Sequence, residues 1–130
     1  MSSRTNSRKP TDAEMKVLSV IWEHGPKTVR EVHGLISQKE TIGYTTVLKF
    51  MQIMTGKGFL LRDSSVRPQL FSAAEPQRKT QGLMLRDLVD RAFAGSAGDL
   101  ALQALSTRKS TPDELREIRA LLDELEGECA

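Results

Sequence analysis

Between Gly43 and Leu61 the chain offers hydroxyl, amide and ammonium groups on Tyr44, Thr45, Thr46, Lys49 and Gln52, and no carboxylate. Hydroxyls and amides exchange hydrogen bonds with base edges and phosphates, and a lysine ammonium pairs with either. A carboxylate among them would repel phosphate. With a helical rotation of about 100° per residue and Val47 set at zero, Thr45 falls at about 160°, Lys49 at about 200° and Gln52 at about 140°. Val47, Phe50, Met51 and Met54 lie within about 60° of zero on the same wheel. One face is therefore apolar and the opposite one is suited to nucleic acid. Ile53 falls between them, as a partly exposed flank of the core. Further cations suit the same chemistry: Lys27 and Arg30 for phosphate, and Arg62 and Arg67 for backbone or minor-groove contact. Tyr44 either bonds a phosphate through its hydroxyl or packs beneath the helix.

No other set of residues has the makings of an active centre. The sequence shows no nucleophile–base–orienter set, no phosphate-cradling glycine loop and no metal-ligand spacing. An enzyme is not expected, nor a cofactor or bound metal. His24 and His33 lack a neighbouring cysteine or carboxylate cluster and read as surface residues of amphipathic helices. The acidic run Asp113, Glu114 and Glu117 reads as a helix start favoured by the macrodipole. Cys129 is the single cysteine, so no intrachain disulfide forms, in keeping with a reducing compartment.

The formal charge of +2 is unevenly spread: residues 1–70 carry 11 Lys+Arg against 6 Asp+Glu, and residues 71–130 carry 8 against 11. A basic front and an acidic back suggest an anion-binding module joined to something else. A hydrophobic content of 38% supports a modest core without a large catalytic cleft. No apolar run approaches the roughly 18 residues of a membrane span. The polar, basic start (Ser2, Ser3, Arg4, Arg8, Lys9) has no apolar signal-peptide core. Residues 1–9 are therefore expected to form a disordered basic arm of a cytoplasmic protein that does not insert into membranes.

Three helices must position the polar face. Thr11-Asp12-Ala13-Glu14 is a capping box, and Met15, Val17, Leu18, Ile21 and Trp22 follow at helical spacing. Gly25-Pro26 stops this helix. Thr28-Val29-Arg30-Glu31 is a second box, with Val29, Val32, Leu35 and Ile36 on its apolar face. The third helix runs over about residues 45–57 and ends at Gly56-Lys57-Gly58. Residues 59–62 and 69–73 read as paired strands around a turn at 63–68. Three helices followed by a hairpin with a basic tip make a winged helix over residues 10–75, whose third helix reads the major groove.

Beyond Pro76 the pattern is helix only, over about residues 77–93, 100–105 and from Thr111-Pro112-Asp113-Glu114 onward. Leu88, Leu105, Leu115, Ile118, Leu121, Leu122 and Leu125 lie on apolar stripes that such short helices cannot bury among themselves. Leaving them in water forfeits roughly 1.5–3 kcal/mol per side chain. Either they fold back on the winged helix or they pair with a second copy. Pairing is the simpler remedy, and residues 76–127 are read as a dimerisation domain. The expected fold class is mainly α with a small β-hairpin wing, a winged helix-turn-helix domain followed by a helical dimerisation domain.

With Thr45-Thr46-Val47-Leu48-Lys49, Gly56-Lys57-Gly58-Phe59-Leu60, Trp22-Glu23 and the two capping boxes, the sequence resembles the penicillinase and methicillin-resistance repressors (the BlaI/MecI family). The resemblance extends from about Pro10 to Leu125. It implies a homodimeric repressor on a near-palindromic double-stranded operator, released by an inducing signal. In well-known members a membrane-bound sensor metalloprotease leads to cleavage in the C-terminal domain. The corresponding segment is residues 100–106, where the family's Asn-Phe bond is replaced by Gln103-Ala104. Many members carry arginine where Ile53 stands, so base readout differs. The cysteine-rich motif of the copper-responsive branch is not supplied by Cys129 alone. The competing reading is a winged helix that binds a protein partner through the same face without sequence-specific DNA binding.

Overall fold

The structure, a computed structural model, describes residues 9–129, so the arm expected over residues 1–9 lies, Lys9 aside, outside the described residues. Helix α1 (Asp12–His24) begins where the Thr11 hydroxyl accepts from the Glu14 N–H at 3.2 Å and the Glu14 carboxylate accepts from the Thr11 N–H at 2.9 Å. Helix α2 (Val29–Ser37) begins with the same reciprocal pair between Thr28 and Glu31. Each box satisfies two backbone donors that a helix start otherwise leaves to water. Helix α3 (Tyr44–Lys57) starts after Gly43, which supplies no capping side chain, and ends at Gly58 in the left-handed region at φ 88°. Only glycine adopts that conformation freely, and its N–H reaches back to the Met54 and Thr55 carbonyls.

The three helices and a hairpin enclose one core: Val17, Leu18 and Ile21 from α1, Val29, Val32 and Ile36 from α2, Val47, Met51 and Met54 from α3, with Leu60 and Phe71. Strands β1 (Leu60–Asp63) and β2 (Leu70–Ala73) are antiparallel, with Leu60 opposite Ala73 and Asp63 opposite Leu70. A feature absent from the sequence reading joins the wing to the helices. Lys27, just before α2, pairs by backbone with Phe71 through bonds of 3.0 and 2.8 Å, adding a third short stretch to the hairpin. Phe50, placed by the helical wheel on the core face, is only half-buried and lies outside the core cluster. Leu48, on another side of α3, packs against the core instead and lines a cleft together with the hairpin residue Phe71.

Two longer-range ties complete this unit. The Trp22 indole N–H donates to the Glu75 carbonyl at 3.2 Å, holding the chain as it leaves β2. The Lys57 ammonium donates to Glu14 Oε2 at 2.8 Å, linking the last turn of α3 to the cap of α1. Burial pushes the Glu14 carboxyl up more than any other single influence. The Lys57 hydrogen bond, the Thr11 N–H, the Lys57 charge and the Thr11 hydroxyl together outweigh it and hold the group below its ordinary 4.5.

Helix α4 (Gln77–Ala92) buries only Thr80. It spans the division between two compact units, the first reaching Arg86 and the second running from Asp87 onward. The second unit contains α5 (Ala97–Thr107), capped by the Ser96 hydroxyl, and α6 (Pro112–Cys129), opened by a third box between Thr111 and Glu114. Among the described residues of α5 and α6 none is buried. Leu102 is 70% exposed, and Leu105, Leu115, Leu121, Leu122 and Leu125 are also exposed, as is Leu88 on α4. Ile118 is half-buried. Among the described residues no helix is long and apolar enough to cross a membrane.

Leu18→Ala is expected to destabilise the first unit by about 2–5 kcal/mol, whereas Leu61→Ala on the open face of β1 should stay within about 0.5 kcal/mol, both read by urea unfolding. Glu14 binds its proton more weakly when folded than when unfolded, so its contribution to stability is present above about pH 4.5 and fades as pH falls through the lower folded value. The stability gap between the wild type and Glu14→Gln should therefore close as the medium is acidified. A gap independent of pH in unfolding titrations would contradict this.

Candidate nucleic-acid interface

The orientation of α3 is set by its buried stripe. Val47, Met51 and Met54 have no accessible surface, and Thr45, Thr46, Lys49 and Gln52 on the opposite side are all exposed. Ile53, expected at the flank, is 42% exposed beside them. The first turn of α3 contains no acidic residue and no side-chain cap. Its leading N–H groups thus lie next to two threonine hydroxyls, an arrangement that favours an anion. The starts of α1 and α2, by contrast, are closed by their own glutamates.

Tyr44 opens α3, and its ring is packed against neighbouring side chains. Its ring lies beneath the Arg30 guanidinium, 5.5 Å from the centroid, and meets the His33 ring edge-on at 5.9 Å and 82°. The residue nonetheless remains 40% exposed. His33 departs from the surface role expected of it. It is half-buried, and its Nε2–H donates to the Ile42 carbonyl at 2.8 Å, bracing the turn between α2 and α3. A histidine that supports a turn leaves no periodic signal, because its partner is a backbone carbonyl nine residues on. His24 is exposed, with Glu23 3.8 Å away.

A cleft of about 360 Å³ lies between the start of α2, α3 and the hairpin, and brings Arg30, Tyr44, Gln52 and Arg62 around one opening. Leu48, Gln69 and Phe71 also line it, and the sequence did not single them out for this site. Arg67 is exposed on the wing and is not part of the cleft lining. Lys27 is half-buried, with its backbone committed to Phe71. The wing turn is shaped by Asp63, whose carboxylate accepts from the Ser65 hydroxyl and N–H and is held below its ordinary range by those bonds. Glu31 is likewise held low, first by the Thr28 N–H, against the opposing effect of burial and with further help from the Thr28 hydroxyl and the Lys27 charge. Both carboxylates are occupied locally in their own turn or cap. Among the described residues no group of three His, Cys, Asp or Glu side chains is placed to hold a metal ion.

The arrangement can bond phosphates through cations and first-turn donors, and can present a hydroxyl, ammonium and amide row to base edges. Residues 10–124 match the model of the penicillinase repressor family. The transcriptional regulator BlaI of Mycobacterium tuberculosis is 27% identical over 117 residues, 89% of this chain and 84% of that protein. The penicillinase repressor of Bacillus licheniformis is 22% identical over 114 residues, 88% of this chain and 89% of that protein. A transcriptional regulator from Thermotoga maritima, known from a crystal structure, aligns with a TM-score of 0.48 at 20% identity, covering 91% of this chain and 74% of that one. The chain belongs to the penicillinase repressor family.

Proposed function

We propose that this member of the penicillinase repressor family is a transcriptional repressor that binds a near-palindromic operator as a homodimer and leaves it on an inducing signal. The observation that carries the reading is the exposed row Thr45, Thr46, Lys49 and Gln52, turned outward by a helix whose other side is fully buried. Thr45 and Thr46 at the start of α3 bond phosphate or base edges, while Lys49 and Gln52 reach bases one turn further on. Arg30 and Tyr44 hold the phosphate strand beside the cleft, together with Lys27 at the start of α2. Arg62 and Arg67 on the wing contact the backbone or minor groove. The names of the M. tuberculosis and B. licheniformis relatives, a transcriptional regulator and a repressor, support the regulatory role.

Homodimerisation is the companion proposal, supported by the exposed leucines of α4, α5 and α6. Leu88, Leu105, Leu115, Ile118, Leu121, Leu122 and Leu125 form the self-complementary surface, residues 76–127 the dimerisation domain and residues 10–75 the DNA-binding domain. Two copies read half-sites one helical turn or a multiple apart, which converts weak single contacts into specific binding. For release, cleavage at Gln103–Ala104 within α5 by a membrane-bound sensor metalloprotease system is one route, and a ligand signal acting on the dimer is the other. Both residues are exposed, and Gln103 donates to Asp99 at 3.1 Å within the helix.

Lys49→Ala should weaken binding to the specific duplex by about 10- to 100-fold, the span of one base contact, without altering helix content or subunit mass. Fluorescence anisotropy against the upstream DNA of the protein's own operon reads this directly. A wild-type affinity that barely responds to salt would contradict phosphate-based binding and favour a protein partner for the same face. Replacing Leu121 and Leu122 together by Glu should halve the mass in sedimentation and sharply lower operator affinity. An unchanged mass would remove the dimer surface from α6.

A further inference from the structure

The Glu14–Lys57 pair is more than the fold requires of that position. The Glu14 side chain is 5% exposed and that of Lys57 27% exposed, and the ammonium lies 2.8 Å from Glu14 Oε2. Desolvating two charges cancels much of what their attraction returns, and well-packed apolar residues would stabilise a fold about as well. What an ion pair adds is direction. The apolar stripe of α3 fixes which face is buried, but dispersion and hydrophobic contacts constrain tilt only weakly because they are non-directional. Glu14 is itself held at its other oxygen by the Thr11 N–H and is rooted in the cap of α1, so Lys57 is moored to a rigid point.

The geometry points to Glu14 and Lys57 as positioning residues for base reading: the pair anchors the C-terminal end of α3 to α1 and sets the angle at which Thr45, Thr46, Lys49 and Gln52 meet the DNA. The inference rests on the reading of α3 as the recognition helix. The start of α3 is braced at Tyr44 by Arg30 and His33, so a tilt released at Lys57 pivots there. Gln52 stands roughly 12 Å further along the axis at 1.5 Å per residue, and a tilt of about 10° moves it by about 2 Å. Hydrogen bonds to base edges tolerate a few tenths of an ångström, whereas a loose electrostatic contact with the phosphate backbone tolerates far more. Losing the anchor should therefore cost sequence discrimination and leave non-specific binding intact. Lys57 falls about 80° around the helix from Lys49, off the outward row, and its ammonium is already bonded to Glu14.

The test uses the full chain with Glu14→Gln, Lys57→Met and the double variant, at a temperature where circular dichroism shows each folded. The probes are the tightest duplex that the wild type selects from a random pool and a scrambled duplex of equal length. Each single variant should lose about tenfold in affinity for the selected duplex and less than about twofold for the scrambled one, a discrimination loss that a change in stability alone does not produce. The double variant should be no worse than the weaker single variant, because either change breaks the same bond. The dependence of log affinity on log salt should keep its slope in all three. Equal losses on both duplexes with Lys57→Met, and a slope shallower by about one, would make Lys57 a phosphate contact and overturn the inference. Unchanged affinities alongside lowered melting temperatures would reduce the pair to a stabilising contact and overturn it too. Lys57→Met sits at the helix surface and carries the comparison if Glu14→Gln does not fold. A wild type that selects no duplex would bring down the recognition reading itself, whereas normal wild-type selection with unaffected variants would defeat this inference alone.

Discussion

Everything in the first unit depends on the burial of one stripe, Val47, Met51 and Met54, whose surfaces are fully withdrawn from water. Turning α3 by a quarter of its circumference would expose these side chains, at roughly 1.5–3 kcal/mol each, against a net domain stability of only about 5–15 kcal/mol. The helix is therefore fixed about its own axis, and its opposite face is fixed in the open. A polar row on a freely rotating helix would have no defined presentation. Here the presentation follows from the core.

The neighbouring elements restrict what this stripe leaves free. The Arg30–Tyr44–His33 stack and the His33–Ile42 bond brace the start of α3, and the Lys57–Glu14 bond braces its end. The backbone pairing of Lys27 with Phe71 makes the wing continuous with the approach to α2, so that Arg30 and Arg62 open onto one cleft. Acidic groups close by are absorbed in local bonds: Glu31 in a helix cap, Asp63 in the wing turn and Glu14 in the ion pair. A surface with many carboxylates nearby thus still presents cations outward.

The second unit obeys the opposite economy. Its helices are well capped, by Ser96 for α5 and by the Thr111–Glu114 box for α6, yet among their described residues none is buried. Capping satisfies backbone donors at helix ends and contributes about 0.5–2 kcal/mol per cap, which is not a substitute for a core. The leucines left in the open are the physical basis of the proposed association between copies.

The sequence by itself determined the helices, the capping boxes that start α1, α2 and α6, the hairpin, and the separation of polar from apolar faces on α3. These features rest on interactions within about four residues, capping bonds and the 3.6-residue period, which any reader of the chain can count. Helix α5, expected over about residues 100–105, begins earlier, at Ala97 behind the Ser96 cap, and runs to Thr107. Tertiary structure alone decided that Glu14 meets Lys57 across 43 residues, that Trp22 holds Glu75 across 53, and that His33 braces a turn instead of facing solvent. It also decided that Leu48, and not Phe50, packs against the core from α3. Such contacts arise where elements distant in sequence are folded together, and no local periodicity records them.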